Sequence, residues 1–179
     1  MLIKRAWCMP NKNTFKIKPI KELILKYYND SYLVIDPFAN EATIGKFIKN
    51  YISNDLDTQF NTNYNLEAQE FMQMFENSSV DMLLFDPPYS GRQVSECYKK
   101  LGKTVTMKDT NSSYFTRFKE QIARIVKPEG IVITFGWNSN GIGKKYGFEI
   151  VEILLIAHGS SHNDTIVTVE RKINLQEAI

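Results

Sequence analysis

In Leu83-Leu84-Phe85-Asp86-Pro87-Pro88-Tyr89, an apolar run that begins at Val80 and is broken only by Asp81 ends in a carboxylate, two prolines and an aromatic ring. A short, nearly continuous apolar run predicts a strand buried on both faces. Each proline fixes its own φ and pushes the preceding residue towards extended geometry, so Asp86 leaves the strand on a stiff turn. Ligands of open α/β sheets gather at the carboxyl ends of strands, which places function here. The bland alternative is a strand followed by a Pro-rich turn with a solvated Asp.

Upstream, Tyr32-Leu33-Val34-Ile35-Asp36 reads as a second short buried strand, closed by Pro37. Helical spacing predicts a helix over residues 19–28, with Pro19 in its first turn, and another from about Ala42 through Tyr51 with Ile44, Phe47, Ile48 and Tyr51 on one face. Residues 1–18 show no clear period. A weak strand signal covers 51–57, an Asn-rich loop follows, and 66–75 reads as a short helix. Downstream, helices are expected over 93–101 and 114–126, then a buried strand at Ile131-Val132-Ile133-Thr134-Phe135. Residues 148–156 and 165–170 read as two strands joined by a short polar link, an antiparallel pair. Alternating strands and helices before this hairpin predict an α/β fold, a mostly parallel sheet flanked by helices with an antiparallel edge.

At 179 residues the chain is long enough for one domain with a substantial core and too short for two ordinary ones, so a single domain over 1–179 is expected, with no separate recognition domain. No apolar run approaches the ~20 residues a membrane span needs, and the first residues lack the apolar segment of a signal peptide. A cytoplasmic protein is expected, with Cys8 and Cys97 as free thiols. His158 and His162 have no cysteines or clustered carboxylates beside them, so no metal site is expected and a hairpin-turn role is favoured. The net charge of +2 does not by itself announce a polyanion partner. Its distribution says more: the first 26 residues hold seven Lys/Arg against Glu22, and the 92–108 segment holds Arg92, Lys99, Lys100, Lys103 and Lys108 against Glu96. For the first segment, ordinary solvated faces explain the charges equally well.

An aromatic amine conjugated into a base is a poor nucleophile with two hydrogens to hold. Asp86 can accept one, the Pro87 carbonyl the other, and Tyr89 can stack on the ring. The tetrapeptide Asp86-Pro87-Pro88-Tyr89 resembles the DPPY signature of S-adenosylmethionine-dependent amino-methyltransferases, above all those acting on the exocyclic amine of adenine in DNA. That family has a Rossmann-like fold, and the resemblance covers nearly the whole chain. Asp36-Pro37-Phe38-Ala39-Asn40-Glu41-Ala42-Thr43 is similar to its cofactor loop, usually written DPFxGxGT, with Asn40 and Ala42 in place of both glycines. By the same resemblance Asp55, or in competition Asp57, accepts from the cofactor ribose, Glu67 lies near the cofactor adenine, and Thr14 and Phe15 lie beside its methionine end. Phe15 could equally be plain core.

The run from Phe135 to Ile150 resembles that of small methylase-like proteins of phages and mobile elements. Trp137 and Asn138 then flank the target pocket, with rim or core packing the simpler role for Trp137. The resemblance implies S-adenosyl-L-methionine as cofactor, no metal, and duplex DNA as partner with the adenine flipped out of the stack. Arg92 is a candidate for a phosphate. A partner subunit could supply sequence recognition. Two other functions stay open: methylation of RNA or of a protein amide, and a methyltransferase-like subunit or anti-restriction module without catalysis, which the glycine-poor loop favours.

Overall fold

A computed structural model describes residues 1–106, 114–159 and 162–173. Strands β1 (Leu2–Trp7), β2 (Leu33–Asp36), β3 (Asn50–Ser53), β4 (Val80–Phe85), β5 (Val126–Gly136), β6 (Phe148–Ala157) and β7 (Thr165–Lys172) form one sheet in the order β1-β6-β7-β5-β4-β2-β3. Helices α1 (Lys18–Tyr27), α2 (Ala68–Gln73), α3 (Gly91–Lys100) and α4 (Tyr114–Ile125) flank it. β7 runs antiparallel to β5 on one side and β6 on the other, while every other pairing is parallel. Six strands therefore point their carboxyl ends to one edge of the sheet.

β4 earns its central place by having no polar face. Met82 and Leu84 pack into one core layer with α1, while Leu83 and Phe85 pack into the other with α2, α3 and α4. Each such side chain contributes about 1.5–3 kcal/mol on full burial. Asp81 breaks the apolar run without cost, since it accepts the Leu33 N–H at 2.9 Å and pairs with Lys127 at 2.7 Å near the strand's start.

Three elements differ from the sequence expectation. β1 lay hidden in the aperiodic N-terminus, because an edge strand paired only with β6 keeps most of its side chains in water and shows no clean alternation. The antiparallel strand lies inside the sheet, not at its edge: Val167, Thr168, Val169 and Glu170 are all buried, which suits an interior strand. The helix expected from Ala42 through Tyr51 is a 3-10 turn, Thr43–Phe47, followed by β3. Tyr51 is pulled into β3 by its hydroxyl, which donates to Asp36 Oδ2 at 2.6 Å, and its ring lies so close to Gly45 that an added Cβ would come within 2.6 Å.

Candidate active site

β3 lies beyond β2 and β5 beyond β4, so the chain reverses its direction of progress between the adjacent strands β2 and β4. Crevices at such switch points bind ligands in open α/β sheets. Here a cleft of about 720 Å³ opens over the two strand ends, walled by the 10–15 segment, the loop after β2, the 55–57 turn, the Asp86–Tyr89 turn and the cleft face of α3.

At its β4 end, the Tyr89 hydroxyl donates to Asp86 Oδ1 at 2.6 Å, and the Tyr89 ring meets Trp137 edge-on with centroids 5.7 Å apart. The Tyr89 N–H donates to Gln93 Oε1 at 2.6 Å, so the turn is fastened to the first turn of α3, itself capped by the Ser90 hydroxyl accepting from Gln93 N–H. Burial pushes the Asp86 carboxyl up to about 6, against hydrogen bonds from Tyr89 and Thr14 that favour its charged form. Burial, and after it the neighbouring Asp86 carboxylate, raise the Tyr89 phenol well above its ordinary value and keep it protonated.

At the β2 end the backbone performs the turn that glycines perform in the resembling loop. Asn40 and Ala42 both stand in the left-handed region, at φ 50° and 49°. Asn tolerates that region through its short polar side chain, whereas Ala is penalised by about 1–2 kcal/mol. Ala42→Gly is therefore expected to stabilise the protein by about 1 kcal/mol, read as a raised urea midpoint at unchanged slope. The Asn40 N–H donates to Asp55 Oδ2 at 2.8 Å and the Asp57 N–H to Asp55 Oδ1 at 2.9 Å, which orients that carboxylate at the cleft wall. Asp57 is turned to Lys100 at 3.2 Å and to the Gln59 N–H. Glu67 accepts from Tyr98 at 3.0 Å and from Lys103 at 2.7 Å.

Asp36 lies fully buried beneath this loop, bonded to the Tyr51 hydroxyl and the Phe38 N–H. Burial, reinforced by the charges of Asp86 and Asp55, pushes its carboxyl up to about 8. The unfolded chain releases this proton near 3.8 while the folded chain keeps it to about 8, so between those values the folded state binds more protons and stability falls as pH rises. Asp36→Asn should remove a slope of up to about 1.4 kcal/mol per pH unit in that window, measured by urea unfolding at successive pH values.

Of the residues the sequence singled out, Thr14, Phe15, Pro37, Phe38, Asn40, Asp55, Glu67, Asp86, Pro87, Pro88, Tyr89 and Trp137 line the one cleft. Phe15 is also core, packed on Phe135 at 5.0 Å, and Phe38 stands edge-on to Phe85 and Phe118. Asp36 and Thr43 lie outside the lining; Thr43 donates to Asn13 Oδ1 behind it. Arg92 turns outward to Glu96 at 2.8 Å, and Asn138 accepts its own loop's Asn140 N–H. Lys108 lies outside the described residues. His158 is buried with Nδ1 on the Cys8 carbonyl at 2.8 Å and Nε2 on the Thr165 hydroxyl at 2.9 Å, a joint between β1 and the β6–β7 connection. Gln93 and Tyr98 escaped the sequence reading, and Lys103, counted there only as part of a basic segment, is paired with Glu67 at the cleft. Only the i+4 spacing of Gln93 from Tyr89, at the start of a helix, could have signalled the first.

No family model matches the sequence, and no curated protein does. Solved structures do match by fold. 1,6-Didemethyltoxoflavin-N1-methyltransferase of Burkholderia thailandensis, solved with 1,6-didemethyltoxoflavin and S-adenosylhomocysteine bound, superposes with a TM-score of 0.61 at 10% identity, covering 91% of this chain and 80% of that one. A SAM-dependent methyltransferase from Archaeoglobus fulgidus gives 0.60 at 9% identity, covering 87% and 92%. TrmN from Thermus thermophilus gives 0.59 at 16% identity, covering 88% of this chain and 49% of that one. The chain has the Rossmann-like fold of these methyltransferases.

Proposed function

We propose that the protein transfers a methyl group from S-adenosyl-L-methionine to the exocyclic amine of adenine in DNA. One observation carries this: the left-handed loop with Asp55 and the Asp86–Tyr89 turn face each other across a single cleft at the switch point of a methyltransferase fold. The residues present fit the cofactor. Backbone at Ala39 and Asn40 approaches the cleft without bulky side chains, Asp55 offers a carboxylate to a ribose diol, and Thr14 and Phe15 close the opposite wall. The sulfonium supplies an activated methyl, so the chain's task is to bind, align and stabilise.

S-adenosyl-L-methionine held between Asp55 and Asp86 would give its methyl to the amine nitrogen and leave as the neutral thioether, and that nitrogen would gain the positive charge. Asp86 accepts a hydrogen bond from that amine, and the bond strengthens as the nitrogen gains charge, which lowers the transition state more than the ground state. The proton that restores the neutral amine passes to the Asp86 carboxylate and from there to solvent. A carboxylate lifted towards 6 is a better acceptor for it than an ordinary one. Tyr89 and Trp137, already in contact, form an aromatic wall for a base that has left its stack.

The test is transfer of a labelled methyl from S-adenosyl-L-methionine to adenine-containing DNA, with RNA of the same sequence in parallel and the product nucleoside identified after digestion. N6-methyladenine from DNA is expected. Label in RNA alone would replace the substrate, and none in either would return the module without catalysis.

A further inference from the structure

We propose that the carboxyl end of β1 carries the nucleic-acid strand beside the target base, with Trp7 as a stacking platform and Arg5 and Lys12 facing phosphates. This rests on the nucleic-acid substrate proposed above. Trp7 is 65% exposed at the end of an edge strand that runs parallel to β6, and so lies on the same side of the sheet as the cleft. Its position there is fixed. The Cys8 N–H donates to the Ala157 carbonyl at 3.1 Å, the Cys8 carbonyl meets buried His158, and the indole nitrogen leans over Gly159, where an added Cβ would lie 3.5 Å away. His158 and Lys12 both belong to the cleft wall, so the indole stands beside the cleft's mouth.

The charges sort themselves in the same direction. Of the seven N-terminal cations, Lys4 and Lys26 are held by Glu152, Lys16 by Glu41 and Lys18 by Glu22, and Lys21 lies over the Phe47 ring. Arg5 and Lys12 have no ion pair among the described residues, and both are exposed. Strand alternation puts Arg5 on the face of Trp7, away from Lys4 and Ala6, which turn towards α1. An exposed indole with Arg5 on its face and Lys12 at the nearby cleft wall matches a ligand that is anionic along its backbone and flat at its bases. A second copy pairing along the β1 edge would instead bring Lys4 and Arg5 against their own symmetry mates or near neighbours, like charges that oppose the contact.

Fluorescence anisotropy of a labelled adenine-containing oligonucleotide, as single strand and as duplex, tests this with Trp7→Ala, Trp7→Phe and the double variant Arg5→Ala/Lys12→Ala. Trp7→Ala should weaken binding by about 10-fold or more and Trp7→Phe only a few-fold. The double variant should lower the slope of log affinity against log salt by about 2. Affinity for S-adenosyl-L-methionine, by calorimetry on the same samples, should be unchanged in the two Trp7 variants, whose side chain lies outside the cleft lining. Wild-type binding of oligonucleotide that all the variants match would overturn this surface alone. A wild type that binds cofactor but neither oligonucleotide would remove the nucleic-acid substrate with it. A Trp7→Ala effect confined to self-association, seen by sedimentation, would assign the edge to a second copy.

Discussion

Asp86→Ala is expected to reduce methyl transfer by about 10²–10⁴-fold while leaving affinity for S-adenosyl-L-methionine within a few-fold. The separation of the two effects follows from the site's layout. Asp86 stands at the end of β4 with Tyr89 on one oxygen, whereas the loop after β2 and Asp55 form the far wall on different elements. Asp86→Asn keeps an acceptor but no charge and should fall between the two. Because the working form is the carboxylate, the wild-type rate should rise with pH through about 6, where Asp86 ionises in the free protein. Single-turnover rates and calorimetry on the same variant check the pair of effects; equal loss of both would contradict the role of Asp86.

The largest effect on stability is expected where β1, β6 and α1 meet. The Glu152 side chain is 0% exposed; Lys26 and Tyr27 both donate to its Oε2, Tyr27 at 2.7 Å, and Lys4 stands 3.2 Å from Oε1. Burial alone would push this carboxyl up, but Lys26, Tyr27 and Lys4 together hold it below the ordinary glutamate value. Removing one partner of a buried charge costs about 3–5 kcal/mol, because the remaining charge has neither water nor a counter-ion. Lys4→Met with Lys26→Met should cost about that much at neutral pH, and adding Glu152→Met should recover most of it, since a well-packed apolar replacement of a buried ion pair is often neutral. Chemical denaturation of the double and triple variants decides; a triple variant no more stable than the double would contradict it.

The legible parts of this chain were those whose signal is local. β4 and its turn, β2, α1, α4 and the two C-terminal strands follow from apolar runs, helical spacing and prolines within a few residues. What stayed hidden depends on distant partners. β1 is a strand only because β6 lies beside it some 150 residues later, and the polar break at Glu152 makes sense only with Lys4 and Lys26 next to it. The 42–51 stretch has helical spacing, yet Tyr51 is worth more in β3 bonded to buried Asp36. In the site, Ala42 lacks the side-chain signature of a left-handed turn and Asn40 carries only part of it, yet both adopt it, the turn being held by the Asn40 N–H on Asp55 and the Ala42 N–H on the Ala39 carbonyl. Thr43, Arg92 and Asn138 lie outside the cleft lining, each bonded to a partner that no short motif reveals.

Isothermal titration of the protein with S-adenosyl-L-methionine, with S-adenosylhomocysteine as companion ligand, addresses the cofactor cleft most directly. Micromolar binding of both, weakened by Asp55→Ala and untouched by Asp86→Ala, is the expected result. No heat and no rise in melting temperature at millimolar cofactor, with the protein folded, would contradict it, because any ligand bound to the native state alone must stabilise that state.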